Sequence, residues 1–166
     1  TFNSAGAVRV EEDSATALTG TSTAQSLDLR STGALTNDAS TNLTVRNNAN
    51  FSATSIALGN VGGDSFNFGT LTFNSAGAVR VEEDSATALA AASTASSLIL
   101  ASTGDITDNA GATLAVTGLA NFVVPAGGNV ILDNTASHNL GSLTIGQGAN
   151  AVVYETNGFD IAGTGI

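Results

Sequence analysis

The chain of 166 residues is long enough for one ordinary domain, yet it carries only 4 basic residues against 14 acidic ones, a formal net charge of −10. Four scattered arginines without a single lysine cannot displace counterions from a phosphate backbone, which excludes nucleic acid as a partner and disfavours anionic membranes. The absence of cysteine excludes disulfides and thiolate metal sites, and 42% hydrophobic content at regular spacing points to a packed core rather than disorder.

Residues 1–18 read TFNSAGAVRVEEDSATAL, and the same eighteen letters return at 72–89, a period of 71. After the identical block, residues 19–51 keep 16 identities in 33 positions with 90–122. Leu27, Leu29, Leu43, Val45 and Phe51 recur as Leu98, Leu100, Leu114, Val116 and Phe122, while Asp28, Arg30 and Arg46 become Ile99, Ala101 and Thr117. A third copy begins near Thr144, because FNFGTLTF at 66–73 matches HNLGSLTI at 138–145. The organisation read from this is a first repeat over 1–71, a second over 72–143 and the start of a third over 144–166, all in one continuous array.

In chain order, apolar-x-apolar triplets punctuate each repeat: Leu27-Asp28-Leu29, Leu43-Thr44-Val45, Ile56-Ala57-Leu58, Leu71-Thr72-Phe73 and Val79-Arg80-Val81. Alternation of period two predicts strands of three to five residues, apolar side inward. The stretches between them are rich in Gly, Asn, Asp, Ser and Thr, which suit turns. Residues 85–98 contain helix-friendly alanines, but their counterpart at 14–27 holds Thr-Gly-Thr, so no helix is expected there.

Tandem short strands of one size predict an all-β parallel β-helix, or β-solenoid, whose coils stack about 4.8 Å apart with two or three strands each. Triplet spacing suggests about four coils per repeat, hence about nine in all. Parallel crossovers favour a right-handed winding. No capping element is evident, so the ends are expected to promote end-to-end association, and divalent cations could bridge acidic rods laterally. Asn37, Asn60 and Asn134 at turns could build ladders between coils. No signal peptide or transmembrane run is present, and the chain begins in mid-pattern without an initiator methionine, so it reads as an excerpt.

GTLTFNSAGAVRV, SLDLRSTGALTN and NLTVRNNANFSATSIALGN resemble the repeats of giant filamentous-haemagglutinin-like bacterial surface proteins. The resemblance implies a right-handed β-helix, export across the bacterial envelope, and a role as an adhesin shaft or extracellular filament. It carries over no functional residue.

Candidate sites are few. Glu11, Glu12 and Asp13, repeated as Glu82, Glu83 and Asp84, could contribute oxygen ligands to Ca²⁺, although the spacing of a calcium loop is missing and solvated strand ends are the plainer reading. No other cofactor is expected. Residues 59–64, GNVGGD, resemble one glycine- and Asp-rich calcium nonapeptide but lack tandem copies. His138 is the only histidine, and Phe66 holds its place in the previous copy, which favours packing over general-base chemistry. Sugar-cleaving β-helices cluster carboxylates near a Lys or Arg in a groove, a pattern missing here, so no enzyme is expected. Outward Thr44 and Thr72 share their triplet position with Asp28, Ala57, Arg80 and Ile99, which breaks any ice-binding row. The glycosylation patterns at Asn42 and Asn50 carry no weight in a bacterial chain. The sequence therefore reads as a structural rod segment of an extracellular filament or adhesin, with an adhesive carbohydrate- or surface-binding face as the alternative. Its expected partners are adjoining repeats.

Overall fold

A computed structural model describes residues 1–134, 138–156, 158 and 160–161. They form eighteen strands, every pairing among them is parallel, and no helix occurs among the described residues. The chain winds as a β-solenoid of about seven turns. Each coil has three faces. The first coil is β1 (Ala7–Glu12), β2 (Thr16–Leu18) and β3 (Thr21–Ala24). Then follow β4 (Ser26–Ser31), β5 (Ala34–Asn37), β6 (Asn42–Ala53), β7 (Ser55–Leu58), β8 (Ser65–Ser75), β9 (Ala78–Glu83) and β10 (Thr87–Leu89). The later coils use β11 (Ser93–Ala95), β12 (Ser97–Ser102), β13 (Ile106–Asp108), β14 (Leu114–Val123), β15 (Asn129–Leu132), β16 (Asn139–Gly146), β17 (Asn150–Val153) and β18 (Asp160–Ile161).

Residues in register on neighbouring coils lie from 17 positions apart (His138 against Glu155) to 24 (Ala115 against Asn139). Most steps are longer than the sequence spacing suggested, which is why about seven turns form rather than nine. The extra residues sit at corners. β6, β8, β14 and β16 each run around one corner as a single long strand, and the register slips between Val45 and Asn48 and again between Val116 and Leu119. Such corners need backbone to approach backbone. A Cβ on Gly69 would lie 2.1 Å from the Arg46 carbonyl oxygen, and one on Gly141 would lie 2.3 Å from that of Thr117.

Inside the tube the alternating residues stack in columns. On the second face Leu35, Ile56, Val79, Leu98, Ala120 and Leu143 lie in successive register, all buried. On the first face Val10, Leu29, Phe51 and Phe73 do the same, with Val10 only half-buried on the first coil. Phe51 meets Phe68 edge-on at 5.6 Å between ring centres. Each fully buried side chain of this size contributes roughly 1.5–3 kcal/mol before ordering entropy is counted.

The repeat and the coil do not share a period. Three register steps carry the chain from Val8 through Leu27 and Ala49 to Leu71, all on the first face. The repeated block then restarts on the next face. β1 stacks beneath β4 on the first face, whereas β9, identical in sequence, stacks on β7 on the second. The corresponding strand of the third copy, β17, stacks on β15 on the third. One sequence repeat therefore spans three turns and one face.

Candidate functional site

The acidic triplet at the end of β9 lies at a corner, and its three carboxylates part company there. Alternation sends Arg80 and Glu82 outward, where they form an ion pair. Glu83 turns inward and is 3% exposed. Its Oε1 accepts the Phe68 N–H at 2.8 Å and the Ser85 hydroxyl at 2.8 Å, and its Oε2 accepts the Thr87 hydroxyl at 2.8 Å. Asp84 Oδ2 accepts the Phe66 N–H at 2.9 Å, while the Asp84 N–H donates to the Phe66 carbonyl at 2.8 Å.

The cause is a mismatch in coil length. Phe66 follows its partner Leu43 by 23 residues, but Asp84 follows Phe66 by only 18. The shorter coil offers too few carbonyls to the β8 N–H groups, and the two side chains supply the missing acceptors, as buried N–H groups require. Burial pushes the Glu83 carboxyl above its ordinary value, and the Phe68, Thr87 and Ser85 bonds hold it back. Glu155, which the sequence reading did not single out, does the same one repeat later: its Oε1 accepts the Leu140 N–H at 2.7 Å. The available signal was the alignment of FNF with HNL and of VEE with VYE.

Among the described residues, no strand pairs with the first copy's β1 on the side away from β4. Glu11 pairs with Arg9, whose guanidinium holds the Glu11 carboxyl below its ordinary range. Glu12 accepts the Ser14 hydroxyl at 3.1 Å, and Asp13 is exposed. Glu11, Glu12 and Asp13 border an open cleft of about 350 Å³ with Arg30, Ser31 and Thr32. Among the described residues no group of three or more acidic or histidine side chains converges to hold a metal ion.

His138 is fully buried. Its Nδ1 accepts the Leu114 N–H at 3.1 Å, which assigns the proton of the neutral ring to Nε2. Nε2 faces Asp108 Oδ2 at 3.5 Å without hydrogen-bond geometry, and both atoms are otherwise unpartnered. Burial lowers the His138 pKa, opposed by the charges of Asp108 and Glu155.

The turn asparagines act singly rather than as one ladder. Asn37 accepts the Gly59 N–H at 3.0 Å and donates to Asp64 at 2.8 Å; Asn134 donates to the Asp108 carboxylate at 3.5 Å. Asn60 makes no such bond among the described residues. A short ladder does form elsewhere, where Asn150 donates to Asn129 and Asn129 to Asp105. Asp64, the acid of the GNVGGD stretch, accepts from Asn37 and from the N–H groups of Thr41 and Val61, which ties its own loop to the coil below. The outward row Ala57, Arg80, Ile99, Asn121 and Thr144 is chemically mixed, and so is Arg9, Asp28, Asn50 and Thr72, of which Thr72 is buried and donates to Asn48. Asn3, Ser4, Thr23, Gln25, Thr44 and Arg46, with Ala5 and Ala24, line a groove of about 360 Å³ whose wall is part polar and part apolar.

Parallel coils, columnar core and corner residues that serve the backbone define a repeat β-solenoid. The chain belongs to the family described as repeats of unknown function (DUF5649), which matches residues 5–72 and again 76–146. No curated protein and no solved structure matches it. Among the described residues no helix is long and apolar enough to cross a membrane.

Proposed function

We propose that the chain is a structural rod segment, part of an extracellular bacterial filament or adhesin that extends and displays other domains, and that it has no catalytic role. The observation that supports this best is where the recurring chemistry goes. The buried acids bond to backbone N–H groups of the neighbouring coil, and the apolar residues stack along the axis. Beyond the identical eighteen-residue block, the shared Leu, Val and Phe positions build the tube, while outward positions such as Asp28 and Ile99 differ between copies. The likeness of GTLTFNSAGAVRV and its neighbours to filamentous-haemagglutinin-like repeats supports a surface location, and the lack of cysteine suits an oxidising one.

Electron microscopy of chains with two, four and eight tandem copies tests this. Each added 71-residue unit should lengthen the particle by about 16 Å, from three turns and one face at 4.8 Å per coil. Particles of constant length would overturn it. An adhesive face is the second reading, and the groove beside Arg46, lined also by Asn3, Gln25 and Thr44, favours it. Glycan-array binding that is lost with Arg46→Ala would support that reading over a purely structural one.

A further inference from the structure

The same eighteen residues occupy two environments in one molecule. In the second copy Val79, Val81, Thr87 and Leu89 are buried; β7 pairs with the first two, and Leu89 pairs with Leu71 of β8. In the first copy their equivalents Val8, Val10, Thr16 and Leu18 are only half-buried, and with Phe2 and Leu29 they line an open apolar cavity of about 330 Å³. Yet the first block already holds the shape of the second. The Phe2 N–H donates to Ser22 as the Phe73 N–H does to Ser93. Thr23 bonds Asn3 as Thr94 bonds Asn74, and the Ser31 hydroxyl reaches the Ser14 carbonyl as that of Ser102 reaches Ser85. What differs is the coil on the outer side.

We infer that the outer face of the first coil is a preformed docking surface for a strand-loop-strand segment with the sequence character of residues 55–71 (SIALGNVGGDSFNFGTL) from an adjoining repeat unit. The internal copy specifies the contacts. An Ile-x-Leu strand pairs alongside β1, as Ile56 and Leu58 pair with Val79 and Val81. The two N–H groups of a Phe-x-Phe strand donate to Asp13 and Glu12, as those of Phe66 and Phe68 donate to Asp84 and Glu83. A glycine must sit against the Glu11 carbonyl, because Gly59 packs so closely that its Cβ would lie 2.1 Å from the Glu82 carbonyl oxygen. Main-chain pairing supplies affinity, and the glycine and the two carboxylates supply selectivity. Little reorganisation is needed, since the acceptor face is already formed. This deepens the rod reading by naming what joins one repeat to the next.

The test fuses residues 55–71 ahead of Thr1 of the full chain and follows amide hydrogen exchange. The fused amides equivalent to Phe66 and Phe68 should exchange at least about tenfold more slowly than in the free peptide, and the Val8 to Leu18 region should reach the protection of Val79 to Leu89. Free exchange of the added segment on an otherwise protected chain would overturn the inference. In the fusion, Glu12→Ala with Asp13→Ala should release those two amides while the strand alongside β1 stays protected; unchanged protection would remove the carboxylates from the mechanism. Valine in the added segment at the position of Gly59 should abolish docking, and retained docking would refute the glycine requirement. Sedimentation showing that the unfused chain pairs through this face, and that fusion leaves the pairing intact, would assign the face to a second copy instead. Because exchange reads the junction and microscopy reads length, failure of docking and failure of the rod reading are told apart.

Discussion

At the scale of the residue, two buried groups make opposite contributions to stability as pH changes. Glu83 has its pKa raised by burial, so the native state holds its proton more tightly than the unfolded chain. Stability therefore falls as pH rises from the ordinary carboxylate value of 4.5 through the raised native value. Glu83→Gln keeps an acceptor for the Phe68 N–H and should flatten that limb in urea titrations taken at half-unit pH steps. Glu83→Ala leaves that N–H unsatisfied and removes the same limb, so it should cost about 1–3 kcal/mol below pH 4.5 and less as pH rises through the raised native value. His138 works the other way. Its pKa is lowered, so the unfolded chain takes up the proton first, and stability is lost as pH falls from 6.5 toward the native value. His138→Gln can accept from Leu114 and donate to Asp108, and should remove the His138 limb in the same titrations. The exposed Arg80–Glu82 pair is worth little by comparison, and Arg80→Ala should change stability by under about 1 kcal/mol.

At the scale of the element, the corners are more demanding than the strands. Gly69→Ala forces a Cβ against the Arg46 carbonyl and should cost about 1–3 kcal/mol in chemical denaturation, from overpacking alone. Gly62→Ala, which meets nothing within 4 Å and has no positive φ, should be near neutral. The same contrast explains what the sequence could and could not reveal. Strand triplets such as Leu27-Asp28-Leu29 were legible because alternation is a local property, and the columns follow once the coils are stacked. The coil count was less legible: residues 46–48 read as a turn, but they carry β6 around a corner as continuous strand. The role of Glu83 was not legible at all. It depends on a coil of 18 residues following one of 23, which is fixed only when distant strands are in register. Three acids in a row look like a ligand set until the corner sends them in different directions.

At the scale of the whole molecule, coils touch only their neighbours, so stability accumulates along the axis rather than from one centre. Phe122→Ala, deep in the stack, should cost about 3–5 kcal/mol. Hydrogen exchange should show the loss concentrated in β12, β14 and β16, leaving β1 to β5 nearly unchanged, whereas a uniform loss across all strands would indicate a single cooperative unit. The displacement of the repeated block from one face to the next has a further consequence. Iterated, the 71-residue unit generates an approximate threefold screw axis, each copy advancing along the rod and rotating by about a third of a turn. A flat neighbour would meet the same surface chemistry only at every third unit, so lateral packing in sheets is frustrated. A partner that tracks one motif has to wind around the shaft, as a nut follows a thread.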